Sequence, residues 1–165
     1  MGDKSVFAEF PERVSAGTGR KGAYYVRAAD HYAVRSGAGK REAAAAELSF
    51  KLEGMSVYKG EPAKTKADAE SLTPVYRLQP DGPLAVPTGK IFLRFKEGVE
   101  VATRREEIER AGYEITETPP YAPSSAWVRA IGGDVARSLS DIEALEKLAD
   151  VENVEPQMLV ERAMR

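Results

Sequence analysis

Along residues 90–165 the spacing of apolar positions changes several times, and each change predicts a new element. In KIFLRFK, Ile91, Leu93 and Phe95 fall on alternate positions, which predicts a strand with one fully apolar face. Phe92 and Arg94 point to the other face, so that face is only partly polar. Gly98 ends the strand, and Thr103 with Glu106 three residues on has the form of a capping box opening the helix RREEIERA. Gly112 then supplies a left-handed stop. YEITET and SAWVRAI read as two strands joined by the stiff, proline-rich PPYAPS, and Gly132 and Gly133 turn the chain. Leu139, Ile142, Leu145 and Leu148 recur at helical spacing, while Asp141, Glu143 and Glu146 lie elsewhere around the axis, so this helix must bury one face. Val151 and Val154 open a last strand, and VENVEPQMLVERAMR is expected to leave the fold as a tail.

The resulting order is βαββαβ. With right-handed crossovers, that order gives a four-stranded antiparallel sheet with two helices on one face, the ferredoxin-like arrangement. The fold class expected is therefore α+β, with residues 87–165 forming this unit and residues 1–86 a smaller β-rich region before it.

In the N-terminal half the pattern is less regular. Ser5 to Phe10 reads as a short strand ended by Pro11. AYYVRAADHYAVR places two aromatic and β-branched runs around Ala28, Ala29 and Asp30, which predicts a hairpin. REAAAAEL has helix propensity, FKLEGMSVYKG strand composition, and EPAKTKADAESL the character of an exposed charged connection. TPVYRL is a further strand, and QPDGPLAVPTG reads as a turn-rich linker, placing a boundary near residues 80–88.

Composition narrows the functional classes. At 42% apolar and 30% charged residues the chain is an ordinary globular one. Residues 1–86 carry 13 basic and 11 acidic groups and residues 87–165 carry 11 and 15, so no basic patch for nucleic acid emerges. The absence of cysteine excludes disulfides, thiolate zinc sites and a cysteine nucleophile. The single histidine, His31, excludes a multi-histidine metal site and reads as a packed or surface residue in a strand. No segment approaches the roughly 18 apolar residues of a membrane span, and the first residues lack signal-peptide character. The expectation is a cytoplasmic, soluble protein without a cofactor, or a secreted one if a leader has been removed.

Two glycine patterns resemble phosphate-binding motifs. Gly17, Gly19 and Gly22 satisfy GxGxxG, but strand composition follows where a dinucleotide site needs a helix. Gly37 to Lys40 lacks the first glycine of a P-loop and has Arg41 where serine or threonine is required. Both read as turns.

The succession GKIFLRFKEG, RAGYEI, SDIEALEKLADV and VENVEPQMLVER resembles the propeptide, or inhibitor, domain of subtilisin-type serine proteases. TPVYRLQPDGPLAVPTG also resembles the segment leading into such prodomains in some large bacterial subtilases. The resemblance covers about residues 73–163 and leaves 1–72 unexplained. It implies a protein that binds a subtilisin-type protease and has no catalytic activity of its own, with a possible further part in the protease's folding. In the family the open sheet face packs on two surface helices of the protease and the tail lies in the active-site cleft. Carried over, Glu155 caps protease helices after the pattern Val151, Val154, Glu155; Phe92 and Trp127 on the outer sheet face are either docking contacts or residues covered by the chain's own N-terminal half. Gln157 stands where the family has a second acid. The tail Val160, Glu161, Arg162, Ala163, Met164 and Arg165 enters the cleft, in a register that ends at Ala163 and puts Val160 in the far pocket. A chain ending product-like at Arg165 is the alternative register. The competing functional class is a ferredoxin-like adaptor or regulatory module that uses the same sheet to hold a non-protease partner.

Overall fold

The computed structural model describes residues 7–18, 22–35, 48–50, 55–60, 72–79 and 82–160. Among these residues nine strands form one mostly antiparallel, curled sheet with few helices. In chain order they are β1 (Arg13–Ser15), β2 (Tyr24–Arg35), β3 (Leu48–Phe50), β4 (Met55–Lys59), β5 (Leu72–Gln79) and β6 (Leu84–Phe95). A 3-10 turn over Val101–Arg104 leads into α1 (Arg105–Arg110), and β7 (Tyr113–Glu117) and β8 (Ser125–Ala130) follow. The helices α2 (Val135–Ser140) and α3 (Ile142–Glu146) precede the last strand, β9 (Val151–Val160).

β6 is the strand on which the two halves meet. Its first residues pair with β5 (Tyr76 with Ala85), its later ones with β8 (Phe92 with Trp127), and its opposite edge with β9 along most of its length. The expected linker is therefore strand from Leu84 onward. Pro87 pairs in register with Met158 and is the last such residue before the β6–β9 register shifts between Pro87 and Ile91, so the proline stands at the border of a bulge. In the C-terminal half the order across the sheet is β9–β6–β8–β7, each pair antiparallel.

Alternation along β6 sorts the side chains. Ile91, Leu93 and Phe95 are buried with Ala126, Val128 and Val154 against Ile108 of α1, Leu139 of α2 and Ile142 and Leu145 of α3. Val14, Tyr25, Tyr76 and Ala85 extend the same cluster into the N-terminal half. A second cluster, Ala33, Met55, Val57, Val75 and Val86, joins β2, β4, β5 and β6. Two buried phenols tie strands to their neighbours: the Tyr76 hydroxyl donates to the Pro11 carbonyl and the Tyr113 hydroxyl to the Ser138 carbonyl, each at 2.6 Å. Burial pushes both phenol pKa values up.

Several local expectations change. Residues 7–10 form a turn closed by Phe10 N–H to Phe7 O at 2.9 Å, and Arg27 donates to both carbonyls, so the first strand is Arg13–Ser15 instead. The expected hairpin at Ala28–Asp30 is a continuous strand whose register against β5 shifts between Arg27 and Tyr32. Ala-Ala-Asp carries no glycine to take up the positive φ values of a two-residue turn, and a bulge absorbs the irregularity. Thr103 does not cap α1; its hydroxyl donates to Glu100 O at 2.7 Å, and α1 starts from the 3-10 turn. The second helix is two short ones, with Asp134 capping α2 through Ala136 N and the chain breaking at Asp141. Gly112 and the pair Gly132 and Gly133 have positive φ as turn geometry requires. The expected helix at REAAAAEL, the Gly37–Lys40 turn and the charged connection lie outside the described residues, apart from Leu48 at the start of β3 and Leu72 at the start of β5.

Candidate docking face

The face of the sheet away from the helices carries the aromatic pair. Phe92 on β6 and Trp127 on β8 are cross-strand partners, with ring centroids 5.3 Å apart at 64°, an edge-to-face contact. On the other side of Phe92, β9 presents Glu155 as its register partner. These three residues, with Pro156, line a groove of about 300 Å³. All but Pro156 are partly exposed.

Two of the neighbouring acids on this face, Glu152 and Glu114, are already paired with arginines. Arg94 donates to Glu152 at 3.2 Å and Arg129 to Glu114 at 2.7 Å. Glu155 forms no ion pair among the described residues. Its side chain instead lies on the backbone of Gly17, where an added Cβ would come within 2.7 Å of the Glu155 Cγ. Thr18, the next residue, accepts the Val154 N–H at its hydroxyl and donates its own N–H to Val154 O, both at 3.2 Å, and the hydroxyl donates to Glu146 at 3.1 Å. A segment of the N-terminal half therefore crosses the outer edge of β9 beside Glu155. Nothing in the C-terminal pattern signals this contact. The glycine that permits it belongs to the GxGxxG run, and the structure gives Gly17 a packing role against β9.

Of the other expected site residues, Gln157 accepts the Thr88 hydroxyl at 2.8 Å, which anchors the β6 bulge. Val160 is 37% exposed, but it is the last residue of β9 and pairs with Ala85, away from the aromatic groove. The final strand thus stays in the sheet through Val160, the first residue of the expected tail. Glu161, Arg162, Ala163, Met164 and Arg165 lie outside the described residues. A second, more polar concavity of about 560 Å³ lies at the end of β6, lined among others by Arg94, Glu97, Glu100 and Glu152. His31 is buried, with Nδ1 3.0 Å from the Asp30 carboxylate, a contact that holds Asp30 below its ordinary pKa. Among the described residues no group of three or more histidine, aspartate or glutamate side chains is placed to hold a metal ion. No described helix is long and apolar enough to cross a membrane.

The groove offers two aromatic rings, a proline and one unpaired carboxylate, which is the chemistry of recognition by packing and charge. No family model matches the chain, and neither the curated proteins nor the solved structures give a match.

Proposed function

We propose that the chain is a subtilisin-propeptide-like protein that binds a subtilisin-type serine protease through the sheet face opposite its helices and inhibits it with its C-terminal tail. The observation that carries this reading is that Phe92, Trp127 and Glu155 share that face, in a groove that no described helix covers. The order β9–β6–β8–β7, with α1 between β6 and β7 and α2 and α3 between β8 and β9, supports a ferredoxin-like unit at the C-terminal side. β9 is extended up to Val160, the geometry a chain needs to pair with the edge of a cleft. Anchoring by the sheet makes tail binding effectively intramolecular, so a weakly fitting tail still occupies the cleft. Glu155 brings negative charge to the interface, as a helix N-terminus favours, whereas Gln157 is neutral and engaged with Thr88.

A second reading, a protein-binding module with a non-protease partner, is favoured by the pairing of Met158, Leu159 and Val160 with β6, which commits that stretch to the sheet. Assay of the purified chain against a panel of subtilisin-type proteases separates the two. The propeptide reading expects saturable, active-site-directed inhibition of at least one of them. Complete inactivity across the panel would leave the adaptor reading.

A further inference from the structure

We infer that the groove between Phe92, Trp127, Pro156 and Glu155 takes a lysine or arginine side chain of the protein partner. This rests on the reading of this face as a docking surface, and it does not depend on the partner's being a protease. The groove is apolar along Phe92, Trp127 and Pro156 and ends on one carboxylate. A lysine or arginine has the matching build, an apolar stem with a cationic head. The head can also lie against the aromatic rings, which attract cations through their negative faces.

Charge complementarity selects this occupant over an apolar one. Glu114 and Glu152 on the same side of the sheet already hold arginines, whereas Glu155 holds none among the described residues. Burying an apolar partner over Glu155 would strand a carboxylate away from water, an unfavourable outcome unless a cation or donor meets it. The carboxylate is also positioned: Gly17 lets its side chain lie flat on the backbone, while Thr18 fixes β9 at the preceding residue. Thr18 also reaches Glu146 on α3, so Gly17 is the residue that acts on the Glu155 side chain itself.

Trp127 is the only tryptophan in the chain, so its indole N–H gives one resolved reporter of the groove. The test is a ¹⁵N–¹H NMR titration of the full chain with N-acetyl-lysine amide, N-acetyl-arginine amide and the uncharged N-acetyl-norleucine amide. Saturable shifts of the indole peak with both cations, with dissociation constants on the order of 10 mM, are expected, and little response to norleucine. Glu155→Gln should weaken cation binding about threefold or more, with the rest of the spectrum unchanged. Gly17→Ala, which displaces the same carboxylate from the other side, should weaken it likewise. Equal shifts with norleucine, an unaltered affinity in Glu155→Gln, or no shift with either cation would overturn the inference. Tighter binding of tetramethylammonium than of the lysine and arginine analogues would also overturn it, by making the groove a small-molecule ammonium site. Protease inhibition is not read in this experiment, so a failed protease panel and a failed titration are separate results.

Discussion

Ser138→Ala tests how the docking face is held in place. Ser138 is fully buried on α2, and its hydroxyl oxygen accepts the Ala130 N–H at 2.8 Å, joining the end of β8 to the helix. Ala130 is itself 2% exposed, so without the hydroxyl its N–H has no water to turn to. A buried donor left unsatisfied costs about 1–3 kcal/mol. For a chain of 165 residues each kcal/mol lowers Tm by roughly 2–4 °C, so the variant should melt about 2–12 °C lower. Urea unfolding followed by Trp127 fluorescence gives the free energy directly, because the reporter sits on the strand being tested. The midpoint should fall with the slope unchanged. A loss below about 0.5 kcal/mol would refute the reasoning, since it would mean that Ala130 N–H finds another acceptor or remains hydrated.

Three further expectations follow from the packing. Val75→Ala, in the second cluster, should cost about 1–3 kcal/mol, and Trp127 in the other half should report the same shifted midpoint as far-UV circular dichroism; two separate transitions would show that the sheet is not one cooperative unit. Thr18→Val removes the hydroxyl that accepts Val154 N–H, and should lower stability by about 1 kcal/mol and speed hydrogen exchange at the Val154 amide, while unchanged exchange would contradict the edge contact. Tyr76 and Tyr113 have raised phenol pKa values in the folded state, so their contribution is fully present below the unfolded value of about 10 and is lost as pH rises beyond it. Urea midpoints should therefore fall above that pH, and fall less steeply in Tyr113→Phe; identical slopes in the two proteins would count against the burial argument.

The C-terminal half was legible because its signals are local. The alternation of Ile91, Leu93 and Phe95, the stop at Gly112 and the turn at Gly132 and Gly133 each depend on a few adjacent residues, and each has its structural counterpart. Phe92 and Trp127 could be assigned to one outer face from period two alone, whereas their contact needed the β6–β8 register. What the sequence concealed were effects of distant pairing. Pro87 and Gly89 look like linker residues, yet β5 and β9 hold their segment in the sheet from opposite edges. Gly17 resembles part of a phosphate loop until its proximity to Glu155, 138 residues away, is seen. The capping box at Thr103 failed for a local reason: the preceding 3-10 turn gives its hydroxyl a closer acceptor at Glu100. The length of β9 was hidden because β6 is longer than KIFLRFK suggests and offers Met158–Val160 a partner.

The proposed function stands or falls on the residues that follow β9. Val160 is the last residue paired in the sheet, so a chain ending there keeps every described strand contact and loses only 161–165. The decisive measurement is the inhibition constant of the intact and the shortened chains against the same subtilisin-type protease, with thermal melts of both. Cleft binding by the tail predicts equal melting temperatures and a loss of inhibition of at least tenfold, about 1.4 kcal/mol, on shortening. Equal inhibition by the two chains would contradict cleft binding by the tail.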